Sequence, residues 1–208
     1  MMKSLICFSL LLKYLKNSMK TKYILHGGYA REDSPENIKF FSECFADTPE
    51  KSNVLIVLFA SENDGDIEYY KNFCVRLKKF TDKELSFTKA NREDFISQIT
   101  QADIVFLQGG DTNRILEALQ RYPALSETFS NKTIIGSSAG AYALANLGTS
   151  HEEVHMREGL SILPLRVVCH YQSEKLPPSE TSLKEIRNSK KDLELVLLKD
   201  YEHKVFFI

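Results

Sequence analysis

Hydrophobic residues along this chain follow two patterns that alternate. Short and nearly continuous apolar runs are typical of strands buried in a parallel sheet. The runs predict strands at Lys22–His26, Asn53–Ala60, Leu85–Thr88, Asp103–Leu107, Thr133–Ile135, Leu165–Cys169, Leu193–Leu198 and Lys204–Ile208. Helical spacing predicts helices after the N-caps Ser34 and Asp66, and at Arg92–Thr100, Thr112–Arg121, Ala141–Leu147 and Ser182–Lys191. The alternation predicts an α/β fold with a mostly parallel sheet sandwiched between helices.

Four chemically interesting features follow predicted strands. Gly27-Gly28, Gly109-Gly110, Ser138 and His170 all stand at or just beyond a strand's carboxyl end. Parallel strands bring these ends to one edge of the sheet, where ligands of α/β proteins bind. The sequence therefore predicts that the four features converge on one site.

The strongest single motif is Gly136-Ser137-Ser138-Ala139-Gly140. A G-x-S-x-G string between a strand and a helix is typical of a nucleophile elbow, a sharp turn that exposes the central serine. The following helix N-terminus favours negative charge there. A small-residue turn that allows close strand–helix packing is the plainer interpretation of the same string.

Candidate partners for Ser138 come from the other strand ends. Gly109 and Gly110 would let backbone N–H groups point into the site and stabilise an oxyanion, although the same residues also suit a simple turn capped by Asp111 or Thr112. Among the five histidines, His170 alone follows Ser138 in the chain and ends a buried strand. The other histidines are better explained as packed, solvated or turn residues, and the sequence predicts no metal site and no cofactor.

Composition narrows the class of protein. With 208 residues and a net charge of −1, the chain has no electrostatic reason to bind nucleic acid or an anionic membrane. The four cysteines are widely spaced, which favours free thiols in a reducing compartment, so we expect the cytoplasm. Residues 1–18 contain an apolar run too short to span a bilayer. We expect them to be an extension outside a single domain at 19–208 rather than an export signal, which is the competing interpretation of the run.

In their order, the motifs resemble those of the peptidase E family, aspartyl dipeptidases of peptidase family S51 with a class I glutamine amidotransferase-like fold of flavodoxin-like layering. The resemblance runs from about Lys20 to the C-terminus and includes Gly159–Pro164 and Cys169-His170-Tyr171. It implies a serine peptidase with Ser138 as nucleophile, His170 as base and an oxyanion hole at Gly110 and Ala139. Family members cleave short peptides after aspartate or the aspartyl-arginine units of cyanophycin. Where the family often continues through another hairpin, this chain stops soon after Phe206.

The resemblance also implies an acid beyond the elbow helix. Counting without gaps leads to Glu153, where the family usually has aspartate, and a one-residue shift would use Glu152. Both could instead be solvated loop acids. For a substrate carboxylate, the nearest basic residues are Arg114, Arg157 and Arg166, since arginine binds carboxylates bidentately.

Three other functions compete with a peptidase. A glutamine amidotransferase needs cysteine at the elbow and glutamate two residues after the histidine, and this chain has Ser138 and Gln172. An α/β-hydrolase esterase would have to use Asp200 and His203, which are too close in sequence for separate strand-end loops. A third interpretation, a non-catalytic binding protein that keeps the fold and the shape of the site, is not decided by the sequence. The expected partner is a short peptide, and the sequence does not predict an oligomeric state.

Overall fold

The computed structural model describes residues 20–149 and 155–208. Within these residues the strands are β1 (Lys22–His26), β2 (Lys51–Val57), β3 (Glu84–Lys89), β4 (Ile104–Leu107), β5 (Thr133–Ser137), β6 (Leu147–Gly148), β7 (Arg157–Glu158), β8 (Leu165–Val168), β9 (Glu194–Leu197) and β10 (His203–Phe207). The α-helices are α1 (Pro35–Phe45), α2 (Ile67–Leu77), α3 (Phe95–Gln101), α4 (Thr112–Leu119), α5 (Leu125–Thr128), α6 (Ala139–Leu144) and α7 (Glu180–Asn188).

The main sheet has six strands in the order β10-β1-β5-β4-β2-β3. All its neighbours pair in parallel except β10, which is antiparallel to β1. Side chains of β1 alternate between two cores: Tyr23 and Leu25 face one, and Ile24 faces the other. Helices α1 and α2 supply the core around Ile24, while α3 to α6 supply the opposite core. The sheet is therefore covered on both faces, and the predicted α/β fold is confirmed.

A second, smaller sheet has the order β7-β6-β8-β9. It was not predicted as a separate sheet, and β6 and β7 are only two residues long each. Strand β8 pairs in parallel with β9, so the carboxyl ends of these two strands lie side by side. Beyond these two ends lie His170 and Asp200.

Local sequence signals fix several of the element boundaries. The side chain of Ser34 accepts a hydrogen bond from the Asn37 N–H at the start of α1, and Asp66 caps α2 through the Tyr69 N–H. Residues 1–18, the predicted extension, lie outside the described residues, and the single domain at 19–208 stays a prediction. In the described part of the chain, no helix is long and apolar enough to cross a membrane.

Candidate active site

Ser138 lies in a sharp turn between β5 and α6. Its backbone has φ 48° and ψ −106°, a conformation that L-residues rarely adopt and that persists only where the surroundings enforce it. Every other residue from 133 to 145 is buried, whereas Ser138 is partly exposed. The turn therefore presents one hydroxyl at the carboxyl edge of the sheet, as a nucleophile elbow does.

The two glycines of the motif make this turn possible. A Cβ at Gly140 would lie 2.2 Å from the backbone oxygen of Leu107, on the neighbouring strand β4. A Cβ at Gly136 would lie 2.7 Å from the backbone carbon and oxygen of Gly140. Helix α6 thus starts directly against the sheet, and a larger residue at either position would push Ser138 out of place.

The hydroxyl of Ser138 and the imidazole of His170 are in contact. Ser138 Oγ lies 3.1 Å from His170 Nε2, and His170 Nδ1 lies 2.7 Å from Asp200 Oδ1. An ionised carboxylate only accepts hydrogen bonds, so Nδ1 carries the proton and the unprotonated Nε2 can accept the serine proton. Serine, histidine and aspartate therefore form one continuous hydrogen-bonded row.

Two hydrogen bonds of backbone N–H groups position His170. His170 N–H donates to the carbonyl oxygen of Gly27 at 3.0 Å, which ties the end of β8 to the end of β1. The Tyr142 hydroxyl on α6 accepts from the Cys169 N–H at 3.1 Å. Because Tyr142 belongs to the elbow helix, this bond fixes the distance between the elbow and the residue before His170.

The electrostatic environment keeps His170 neutral. Its side chain is buried, and burial lowers its pKa below the ordinary value, while the hydrogen bond and charge of Asp200 partly oppose the shift. The nearby Cys169 thiol is also buried, and burial raises its pKa. The thiol is therefore no rival nucleophile, since thiolate is the reactive form.

Gly109 and Gly110 lie where the sequence placed them, beside the elbow. An ideal Cβ on Gly109 would stand 3.2 Å from the Cβ of Ser138. Among residues 20–149 and 155–208, the N–H groups of Gly109 and Gly110 donate to no protein acceptor. The Ala139 N–H stands at the start of α6, directly after Ser138.

The two glutamates predicted as the triad acid, Glu153 and Glu152, belong to 150–154, outside the described residues. Their role stays a prediction. The carboxylate beside His170 in the described structure is Asp200, which sequence reasoning considered only for a different class of hydrolase. A usable signal existed, because Asp200 follows the predicted strand that comes after the His170 strand.

The three arginines considered for substrate binding have other partners. Arg166 is buried and donates to the carbonyl oxygens of Ile186, Ser189 and Leu193. Arg114 pairs with Glu62 and Asp111, each at 3.4 Å. Arg157 donates to Asn113 at 2.6 Å.

Sequence reasoning missed a fourth arginine, which lines a cavity beside the elbow. The cavity has a volume of about 500 Å³, and its walls include Gly109, Gly110, Arg31 and Tyr69. The Arg31 guanidinium lies 5.4 Å from the centre of the Tyr69 ring. Within the described residues Arg31 has no carboxylate partner.

The sequence profile of peptidase family S51 matches residues 24–205. No curated protein matches the chain. Among solved structures, a peptidase from an acI-B1 Actinobacterium is 19% identical with a TM-score of 0.67, over 93% of this chain and 86% of that one. A peptidase E protein from Listeria monocytogenes EGD-e is 16% identical with a TM-score of 0.62, over 91% of this chain and 98% of that one. At such identities these likenesses support the fold.

Proposed function

The chain belongs to peptidase family S51 and is a peptidase, and from this premise we propose that it hydrolyses short peptides with Ser138 as nucleophile, His170 as general base and Asp200 as the acid. The observation that carries the proposal is the hydrogen-bonded row from Ser138 Oγ through both nitrogens of His170 to Asp200. Each atom stands within the reach that proton transfer between a nucleophile and its base requires.

The proposed reaction has two halves. In the first, Ser138 Oγ attacks the peptide carbonyl carbon as His170 Nε2 takes its proton, and the carbonyl oxygen becomes an oxyanion facing the N–H groups of Gly109, Gly110 and Ala139. His170 then gives the proton to the leaving amine, and the C–N bond breaks. In the second half, water attacks the acyl-serine ester, its proton passes to His170, and the proton returns to Ser138 as the carboxylic product leaves.

Asp200 has two tasks in this proposal. It holds the Nδ1–H tautomer of His170, so that Nε2 can accept a proton, and its charge stabilises the imidazolium that forms. We propose Asp200 because it contacts Nδ1 at 2.7 Å. The variants Asp200→Asn and Glu153→Gln distinguish Asp200 from the competing prediction, Glu153.

For substrate choice we propose a preference for aspartate at the cleaved bond, with Arg31 as the residue that receives its carboxylate. The cavity wall formed by Gly109 and Gly110 adjoins Ser138, so a substrate side chain in this cavity would lie near the attacked carbonyl. The carboxylates of Glu62 and Asp66 also line the cavity, but Glu62 pairs with Arg114 and Asp66 caps α2. The guanidinium is suited to bind a carboxylate bidentately.

A fluorophosphonate probe tests the nucleophile. We expect the folded protein to be labelled at Ser138, located by mass spectrometry of the labelled peptide. Ser138→Ala should abolish labelling and reduce peptide hydrolysis by up to roughly 10⁶-fold, the order of loss found when a catalytic serine is removed. Ser137→Ala is the matched control and should still be labelled, because Ser137 is buried against His26. Unchanged hydrolysis in Ser138→Ala would refute the assignment, and a folded but unlabelled protein would favour a binding function.

A panel of dipeptides that differ only in the first residue tests the substrate. Asp-X should be cleaved faster than Asn-X and Ala-X, and Arg31→Gln should lower kcat/KM for Asp-X by about 10- to 100-fold while changing Ala-X little, since a lost charged hydrogen bond costs about 1.5–3 kcal/mol. Arg121→Gln is the control, because this exposed arginine pairs with Glu117 and does not line the cavity. Equal rates across the panel would reject the aspartyl preference and leave the proposed triad intact.

The remaining expectations stay predictions. They comprise a cytoplasmic location, and short peptides rather than nucleic acid or membrane as partners.

A further inference from the structure

Three separate segments of the chain meet at the carboxylate of Glu32. Glu32 belongs to the loop between β1 and α1, here called the β1–α1 loop (27–34). Its Oε2 accepts a hydrogen bond from the Tyr201 hydroxyl at 2.5 Å, and Lys175 Nζ lies 3.1 Å from each of its oxygens. Tyr201 directly follows Asp200, and Lys175 lies in the loop that begins with His170. One carboxylate therefore connects the segment that carries the proposed base to the segment that carries the proposed acid.

Glu32 is itself held in place by buried groups. The Asn37 side chain donates to the carbonyl oxygens of Tyr29 and Glu32 at 2.9 and 2.7 Å. Its own oxygen lies 2.9 Å from Nε2 of the buried His26. Arg76 donates to the same Glu32 carbonyl oxygen at 2.9 Å. These hydrogen bonds hold the β1–α1 loop against the protein interior. They fix the backbone of Glu32, from which its carboxylate extends.

The same loop encloses the ring of His170. Gly28 has φ +132°, and a Cβ there would lie 2.0 Å from His170 Cε1, so only glycine lets the loop approach so closely. The Tyr29 ring meets the imidazole edge-on at a centroid distance of 4.8 Å, and Lys175 Nζ lies 5.0 Å from the centre of the Tyr29 ring. The Tyr201 N–H donates to the Gly28 carbonyl oxygen at 3.2 Å. Through Gly28 and Tyr29, the β1–α1 loop therefore contacts His170 and the residue after Asp200.

We propose that Glu32 is a positioning residue of this peptidase, which acts through Tyr201 and Lys175 to hold Asp200 and His170 in register. The inference rests on the proposed function, since it concerns the geometry of the proposed triad. Most of the positioning of Asp200 by Glu32 should depend on the hydrogen bond from Tyr201. Lys175 is exposed and Glu32 is partly exposed, and ion pairs at such positions contribute little, whereas the short hydroxyl–carboxylate bond is charge-assisted.

A positioning role differs from a merely structural one in its effect on His170. Asp200 raises the pKa of His170 against the lowering caused by burial, so a displaced Asp200 should lower that pKa further. Among residues 20–149 and 155–208, the Ser138 hydroxyl, Tyr29 from the β1–α1 loop and His26 from β1 also lie near the imidazole. Tyr201→Phe replaces none of these groups and keeps the ring that lies 6.0 Å from the Tyr29 ring.

The experiment compares four variants with the wild type. Tyr201→Phe removes one oxygen, Glu32→Ala removes both contacts, and Glu32→Gln keeps an acceptor for Tyr201. Asp33→Asn is the matched control, because it removes a charge from the same loop, and Asp33 pairs with Arg76 at 2.6 Å rather than with Tyr201 or Lys175. For each variant the titration of the His170 ring is followed by NMR, and kcat and KM are measured on a short peptide.

We expect Tyr201→Phe and Glu32→Ala to lower the His170 pKa and to reduce kcat by about tenfold with KM within about twofold, as loss of a charge-assisted bond that positions a base implies. Glu32→Gln keeps an acceptor but loses the charge, so it should lie between Glu32→Ala and the wild type, and Asp33→Asn should stay near the wild type. If Glu32→Ala does not fold, Tyr201→Phe carries the test. An unchanged titration and kcat in a folded Tyr201→Phe protein would overturn the proposal. A wild type without hydrolysis but with the same titration shifts would refute the proposed function and support the positioning role.

Discussion

At the scale of the residue, the protonation of His170 is decided by two opposing influences. Burial lowers its pKa, and Asp200 raises it less, so the pKa lies below the ordinary 6.5. Neutral imidazole is the form that accepts the Ser138 proton. The acidic limb of the kcat/KM profile should therefore have its midpoint below pH 6.5.

Asp200→Asn tests the acid. The amide removes the charge that stabilises imidazolium and no longer enforces the Nδ1–H tautomer, so turnover should fall by up to roughly 10⁴-fold. The acidic limb should move to lower pH, because the group that raises the His170 pKa has lost its charge. Full pH profiles of kcat/KM for the variant and the wild type measure both effects.

Three substitutions of glutamate by glutamine serve as comparisons for Asp200→Asn. Glu202→Gln changes a carboxylate in the same turn that accepts from the Lys199 N–H, and should keep turnover near the wild-type value. Glu153→Gln and Glu152→Gln should do the same if Asp200 is the acid. A large loss in Glu153→Gln with normal turnover in Asp200→Asn would instead identify Glu153 as the acid and leave Asp200 with a structural role.

At the scale of the element, the sequence is most informative where the signal is local. Strand β1 begins and ends as predicted, and the caps Ser34 and Asp66 make the side-chain hydrogen bonds that their residue types suggest. The elbow was predictable for the same reason, because the two glycines, the serine and the flanking apolar runs are contiguous. Hydrophobic periodicity and residue size are sufficient for such features.

What the sequence did not reveal depends on contacts between distant segments. Strands β6 and β7 have two residues each, too few for any periodicity, and they form only through pairing with each other and with β8. Asp200 is thirty positions from His170 in the chain and meets it because β8 and β9 pair in parallel, with Val168 opposite Leu197. Applying the strand-end rule to β9 as well as β8 would have found it.

At the scale of the whole molecule, buried histidines link folding to pH. Burial lowers the pKa of His26 to about 3, and it also lowers the pKa values of His170 and His203. His26 is fully buried and neutral: its Nδ1 accepts from the Gly28 N–H, and its Nε2–H donates to Asn37. Once the chain unfolds, each of these side chains regains an ordinary pKa and binds a proton in mildly acidic solution.

The direction of the effect follows from proton linkage. Between pH 6.5 and about 3 the unfolded chain holds a proton on residue 26 that the folded chain does not, so the free energy of unfolding rises with pH across this window. Stability is fully present above pH 6.5 and is lost as the pH falls towards 3. A single such group contributes a slope of at most about 1.4 kcal/mol per pH unit.

His26→Gln should therefore flatten the pH dependence of stability while lowering stability at neutral pH. Glutamine does not titrate, but it cannot reproduce both ring hydrogen bonds or the stacking on Phe40 at 4.1 Å. Urea unfolding at pH 7, 6, 5 and 4 measures the slope, which should fall by about 1 kcal/mol per pH unit relative to the wild type. His155→Gln, which changes an exposed histidine, is the control and should keep the wild-type slope between pH 7 and 5, above the range in which its partner Glu185 titrates. Equal slopes in the wild type and His26→Gln would mean that His26 binds a proton in the folded state, and its interior hydrogen bonds to Asn37 and Ser137 would then need reassignment.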